Sequence, residues 1–502
     1  MKKNNKHFVA FSFFLIITSF CFAQSSINGE ANTDSRTLSF QYVKKLNSVF
    51  DFVLQNYVDV LDPKTLYEGA IKGMLNSIGD PYTLYLDESE MRELSDTTSG
   101  NFGGVGLSIS KSTESTPQNP AYVEVASPME GTPGAKAGIQ SGDKITAING
   151  KPTPPMTMNE VLENLRGEPG TPVTITILRG KNMQFDVTLI RDIIEVPTVK
   201  YGMIENSSIG YIRLIQFTPE TANRLQIALD SLKKSKYTGL IIDLRDNPGG
   251  LITSAVDVAN KFIDEGPIVT TKSRLFFENH QYLASTDKTT IKKGIPIIVL
   301  INRGAASASE IVSGALKDYH IAYLVGECTY GKGSVQQVIP LSNTDGIKMT
   351  MARYYTPSDV NIDKIGIPPD LEIKNLQTFT EDEEKIYIKM AESEIINTTI
   401  ENNPDMTEEQ IFYQAEQIAK QYPLDLRFIR RVLRIQSQKN KEAPLYDLDW
   451  DLQLNKAIQI INSNNFDELM KSTKTLKELQ DEKTNTEQTE QTKQAEKTAE
   501  NN

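Results

Sequence analysis

IPIIVLINRGAASASEIVSGALKDY, Ile295–Tyr319, is the stretch whose reading decides how this chain folds. Its first seven residues are a continuous apolar run, as expected for a strand buried on both faces. Small residues follow, and then Ile311, Val312, Ala315 and Leu316 fall at helical spacing. The same unit occurs upstream, where GLIIDLR leads through DNPGG into LITSAVDVANKFID. IGYIRLI precedes a helical stretch from Pro219 to about Lys236, and IAYLVGE, SVQQVIPL and IKMTMARYYT read as further strands. Alternation of this kind predicts a layered α/β domain over 195–375.

The turn itself, Ala306-Ser307-Ala308-Ser309-Glu310, carries two readings. Ser307-Ala308-Ser309-Glu310 fits the S-x-x-E capping box, in which serine and glutamate satisfy each other's backbone N–H groups. A serine exposed between a buried strand and a helix N-terminus is also well set as a nucleophile, with N–H groups and the positive end of the helix dipole close by. A nucleophile needs a base, and the chain has three histidines, none in a catalytic setting. His7 lies in the apolar leader, His280 in a polar connection and His320 just past a helix.

A neutral lysine can serve instead. Its pKa of about 10.4 must fall by roughly three units, about 4 kcal/mol of differential stabilisation, which burial in an apolar pocket can supply. The candidate is Lys332 in YGKGSVQQ, between two glycines that allow close backbone approach. Glu310 paired directly with that amine would raise its pKa, so Glu310 is expected to act through backbone hydrogen bonds at the helix start.

Upstream, residues 101–190 turn glycine-rich with short β-prone runs, notably GTPGAKAGIQSGDKITAING and MNEVLENLRGEPGTPVTITILRG. This string closely resembles the PDZ domain, which adds an extended chain to a sheet edge and holds a terminal carboxylate in a nest of backbone N–H groups. Gly104, Val105, Gly106 and Leu107 are the candidate nest. Residues 36–100 read as a packed helical segment interrupted by DPYT, and 376–470 as acidic helices. The stretch 471–502 has no aromatic residue and predicts a disordered polar tail.

The N-terminus, MKKNNKHFVAFSFFLIITSFCFAQSS, has lysines, an apolar run and then small residues, the order of a secretory signal over 1–23. Its apolar run is shorter than the ~20 residues that span a bilayer. Export is therefore expected, to the periplasm or to the outer side of the cytoplasmic membrane. Removing the leader takes Cys21 and leaves Cys328 alone, so no internal disulfide is expected. With 39% hydrophobic residues and a net charge of −12, the chain can build cores but lacks the basic stripe that nucleic acid requires.

ASASEIV, DLRDNPGG, GKGSVQ and TPSDVNIDKIGIPPDLEI together resemble the carboxy-terminal processing (tail-specific) proteases, from about Phe50 to Ile373. The resemblance implies an exported serine endopeptidase with a PDZ domain and a core of the ClpP/crotonase-type layered fold, acting on proteins with free, apolar C-terminal tails. It implies Ser307 as nucleophile, Lys332 as general base and Gln336 as the residue that helps hold the amine. It also implies an oxyanion hole from Ala308 N–H and one of Gly249 and Gly250, and Arg166 as a coupling residue between PDZ domain and core. No metal or organic cofactor is implied, and a homo-oligomer or an adaptor protein stays open as a partner. The pattern departs at Ser358-Asp359-Val360-Asn361, where a glycine and a basic residue are usual. The rival readings are a PDZ scaffold with an inactive α/β domain, a Ser307–His320 enzyme, and a crotonase-like acyl transferase.

Overall fold

A computed structural model describes residues 31–486 and 488, apart from 113–114, 117–119, 276, 278, 292–293, 375–378, 405, 438–443, 464 and 487. The expected leader at 1–23 and the end of the polar tail lie outside the described residues. The chain divides into two units, residues 1–77 and 78–502. In the first, α1 (Ala31–Asn56) and α2 (Pro63–Asn76) are helices, α2 started by an Asp62 cap followed by proline. This segment is less packed than its periodicity predicts, since Phe40, Val43, Leu46, Val49 and Phe52 on α1 are exposed.

The second unit begins with β1 (Leu84–Leu86) and α3 (Glu88–Ser99), the latter closed by an Asp87–Glu90 capping box. The PDZ region follows with β2 (Asn101–Gly104), β3 (Leu107–Lys111), β4 (Val123–Pro128), α4 (Pro133–Lys136), β5 (Lys144–Ile148), β6 (Lys151–Pro152), α5 (Met158–Leu165), β7 (Pro172–Arg179), β8 (Met183–Ile190) and β9 (Asp192–Glu195). Its sheet runs β3-β4-β5-β7-β8 with β6 on β5, so β3 is an edge strand, while β2 and β9 form a separate ribbon. Val123, Val125, Ile145, Ile175 and Ile177 fill its core together with Val161 and Leu165 of α5.

The central sheet comprises β10 (Val199–Met203), β11 (Ile209–Leu214), β12 (Gly239–Asp243), β15 (Ile297–Ile301), β16 (Tyr323–Gly326) and β19 (Leu371–Glu372), in that order. β10 is antiparallel to β11, and the remaining pairs are parallel. Between strands lie α6 (Thr221–Lys234), α7 (Ile252–Ala259) and α8 (Ala308–Asp318). A second, antiparallel sheet joins β13 (Pro267–Ser273), β14 (His280–Leu283), β17 (Ser334–Pro340) and β18 (Gly346–Tyr355), with β1 completing it along β18.

Side-chain alternation sends Leu240, Ile242, Ile297 and Val299 to one face of the central sheet, where α6, α7 and α8 pack. Ile241, Ile298 and Leu300 face the other way. What covers that second face comes from the C-terminal region. Of α9 (Glu381–Glu392), α10 (Ile395–Asn402), α11 (Glu408–Gln421), α12 (Leu426–Ser437), α13 (Leu452–Ile461) and α14 (Phe466–Ser472), the first four enclose a core of their own. α13, however, lays Leu454, Ala457 and Ile460 on the back of the sheet. The layers around the central sheet are thus α/β/α, with the third layer supplied beyond the expected boundary at 375.

The expectation of disorder from 471 onward also needs correcting. Residues 476–486 are helical, Leu476 is buried in the front core, and its N–H donates to Asp318 Oδ1 at 2.8 Å. Leu476 in this polar run packs into the core with Leu316 and Ile367.

Candidate active site

Ser307 sits where β15 turns into α8, at φ +56 and ψ −112, a left-handed conformation rarely adopted outside glycine. The strain is held from two sides. Ala306 N–H and the Ser309 hydroxyl both donate to the Asn247 carbonyl, at 3.0 and 2.9 Å. Asn247 is itself locked, its Nδ2 donating to Leu214 O at 2.8 Å and its Oδ1 accepting from Gly249 N–H at 2.9 Å. Ser309 is therefore a buried rivet of the helix start.

Glu310 joins the two candidate catalytic segments. Oε2 accepts from Ser307 N–H (2.8 Å) and Lys332 N–H (2.9 Å), and Oε1 from Gly331 N–H (2.7 Å) and the Thr329 hydroxyl (2.6 Å). The carboxylate half of the capping box is thus present, and the same group extends to the lysine loop. Burial pushes the Glu310 pKa up, opposed by these hydrogen bonds. Tyr354 adds a second tie, its hydroxyl donating to Lys332 O and to Ser307 O, the latter at 3.2 Å.

The Lys332 pKa is lowered from 10.5, first by burial and then by Lys348, with Glu310 and Asp80 acting in the opposite sense. Because Glu310 engages the Lys332 backbone, its charge only partly offsets the burial. The amine stands 4.8 Å from the centre of the Tyr82 ring. Among the described residues Gln336 makes no hydrogen bond to the amine. Its Nε2 donates to Ser334 Oγ (2.9 Å) and Thr350 Oγ1 (3.2 Å).

Gly249 and Gly250 differ in what their N–H groups do. Gly249 N–H is used by Asn247, whereas among the described residues neither Gly250 N–H nor Ala308 N–H has a hydrogen-bond partner. A Cβ on Gly249 (φ +102) would lie 2.9 Å from both Ala308 N and Ser307 Cβ, so only glycine lets this loop approach the serine. His320 is excluded as base by position. It lies past the far end of α8, about 16 Å of helix from Ser307, with Nδ1 hydrogen-bonded to Thr473 Oγ1 at 2.7 Å. Burial raises the Cys328 thiol pKa, consistent with an unreactive thiol.

In the PDZ region Gly104 is committed to the ribbon, paired with Asp192 of β9. Among the described residues Val105 N–H and Gly106 N–H are without partners, immediately before edge strand β3. Arg166, at the C-cap of α5, donates to Asp96 of α3 at 3.2 Å and lies over the Phe102 ring at 4.8 Å. Its link toward the core runs through α3 and β1, which pairs with β18. At the departure noted above, Asp359 takes φ +62, the conformation a glycine would relieve, and pairs with Lys272.

A strained serine joined to a half-buried lysine, behind a PDZ domain, defines a class of protein, and comparison with known proteins narrows it. The profile of peptidase family S41 matches residues 208–373, that of the PDZ domain 124–179, and that of the activating protease CtpB N-terminal domain 12–90. A carboxy-terminal-processing protease of Bartonella bacilliformis is 39% identical over 388 residues, 76% of this chain and 85% of that one. Carboxy-terminal processing protease CtpA of Bacillus subtilis is 34% identical over 355 residues, 71% of this chain and 73% of that one. Among solved structures, a photosystem II D1 C-terminal processing protease is 30% identical, covering 65% of this chain and 92% of its own, with a TM-score of 0.38. The chain belongs to peptidase family S41. It is a C-terminal processing serine protease, a hydrolase, with a PDZ domain.

Of the residues in contact with this site, Tyr82, Thr329, Tyr354 and Asp80 carried no signal in the sequence beyond DPYT interrupting a helical pattern.

Proposed function

We propose that this chain is an exported serine endopeptidase that cuts proteins near their C-termini by a Ser307–Lys332 dyad. The observation that carries the reading is the Glu310 carboxylate, which accepts N–H groups of Ser307 and Lys332 on one oxygen and so fixes the two backbones together. The Lys332 amine, its pKa lowered by burial, takes the Ser307 hydroxyl proton in its neutral form as Oγ attacks the scissile carbonyl carbon. The oxyanion meets the free N–H groups of Ala308 and Gly250, and the proton passes to the leaving amine. Water then cleaves the ester with Lys332 again as base. Gln336 helps hold the amine, its carbonyl oxygen being the group that can accept from it.

Val105 and Gly106 hold the terminal carboxylate while the tail adds to β3 as a strand. Arg166 couples an occupied PDZ domain to the core through Asp96 and α3. The lysine-led apolar leader supports export, to the periplasm or the outer face of the cytoplasmic membrane. The exposed apolar residues of α1 support association with a second copy or an adaptor.

The test of the tail reading uses Ser307→Ala as a trap. It should retain an unstructured, apolar-tailed protein with a free C-terminus and release the same protein when that terminus is amidated. Equal retention of both would overturn the tail reading.

A further inference from the structure

Lys332 has a long, flexible stem and stands between two glycines, which bring no side chain to its amine. The surface that meets it comes from far away in sequence. The turn Asp80-Pro81-Tyr82-Thr83 lies beside the lysine, with the amine 4.8 Å from the Tyr82 ring centre. This turn is built firmly. Asp80 accepts from Tyr82 N–H (3.1 Å) and the Thr83 hydroxyl (2.6 Å), and Thr83 Oγ1, which is buried, accepts Thr350 N–H (3.1 Å) from β18. Immediately after it, β1 pairs in register with β18 over three residues. The turn that carries the ring is therefore tied to β18, which pairs with β17, the strand that follows Lys332.

We propose that Tyr82 is a positioning residue for the general base: its ring is the wall that keeps water from the Lys332 amine, and the Asp80 turn holds that wall in place. The inference rests on Lys332 being the base. The charged and titratable groups around the amine are Glu310 of α8 and Asp80 of the turn, which favour its charged form, and Lys348 of β18, which disfavours it. Tyr82 in turn faces Tyr330, Asp363 and Asp80. Its own hydroxyl is pushed up to about 12 by burial and the hydrogen bond to Tyr330, so the ring stays neutral wherever the lysine titrates. An aromatic face also attracts an ammonium, but a half-buried amine loses more hydration than one ring returns, and burial leads the causes of its lowered pKa.

The experiment is the pH profile of kcat/KM for full-length wild type, Tyr82→Phe and Tyr82→Ala. Tyr82→Ala should move the limb assigned to Lys332 upward by about one unit, losing about tenfold at neutral pH and recovering at alkaline pH. Tyr82→Phe keeps the wall and should restore the wild-type limb. Should the alanine variant not fold, Tyr82→Gln, which brings a polar chain to the amine, gives the same reading. A uniform loss at every pH, or a phenylalanine variant as shifted as alanine, overturns the proposal. The two readings fail separately. Wild-type activity in Lys332→Ala removes the base, whereas an inactive Lys332→Ala beside an unmoved limb in Tyr82→Ala removes only the wall.

Discussion

Asp451→Ala should destabilise the catalytic core although Asp451 lies more than 70 residues beyond the S41 match, which ends at 373. Arg245, in the DLRDNPGG loop, is buried and bonded on two sides. Its Nε and Nη2 reach Asp243, while Nη1 and Nη2 reach Asp451 at 2.8 and 2.6 Å, with Gln453 Oε1 a further 3.0 Å acceptor. Asp451 also caps α13 through Leu454 N–H. Alanine removes two charge-assisted bonds, about 1.5–3 kcal/mol each, and a cap of about 1 kcal/mol. Asp243 stays to balance the guanidinium, so the lower half of that range applies, about 4 kcal/mol in all. The single tryptophan, Trp450, adjoins Asp451 and packs against Phe428 and Arg431, which makes its fluorescence a local probe. Urea unfolding in a Ser307→Ala background, followed by this fluorescence and by circular dichroism, gives the value. A loss under about 1 kcal/mol, or a wild-type Trp450 transition well before the circular-dichroism one, would refute the view that the C-terminal segment is an integral layer.

Two further outcomes concern the site. Glu310→Gln replaces one acceptor oxygen by a donor facing N–H or hydroxyl donors, so it should cost about 2–4 kcal/mol in urea unfolding and lower kcat far more than it changes KM. Lys332→Met should stabilise the fold at neutral pH, because the lowered pKa means the unfolded chain binds more protons between that value and 10.5. Wild-type stability from this group accordingly rises with pH across that window and is lost as pH falls through the folded value, a slope that unfolding midpoints of Lys332→Met should lack.

The apolar runs and helical spacing around Ile295–Tyr319 and Gly239–Arg245 made the central layers legible, because burial on both faces leaves an uninterrupted hydrophobic signal. The PDZ glycines did the same through their fixed offsets. Less could be read where partners are remote. Arg245 and Asp451 are separated by 206 positions, and each alone looks like an ordinary charge. Tyr82 and Tyr354 reach Lys332 from different strands or turns, so no local pattern announces them. The separate duties of Gly249 and Gly250 depend on where Asn247 points its amide. The exposed apolar face of α1 has the spacing of a packed helix, and spacing alone does not tell which surface will cover it.

The pairing of Ser307 with Lys332 is tested most directly by cleavage of an unstructured, apolar-tailed protein, comparing wild type, Ser307→Ala, Lys332→Ala and His320→Ala, each with its unfolding midpoint recorded. Ser307→Ala and Lys332→Ala should be folded and inactive, with His320→Ala near wild type. Cleavage by folded Lys332→Ala at the wild-type rate would contradict the dyad.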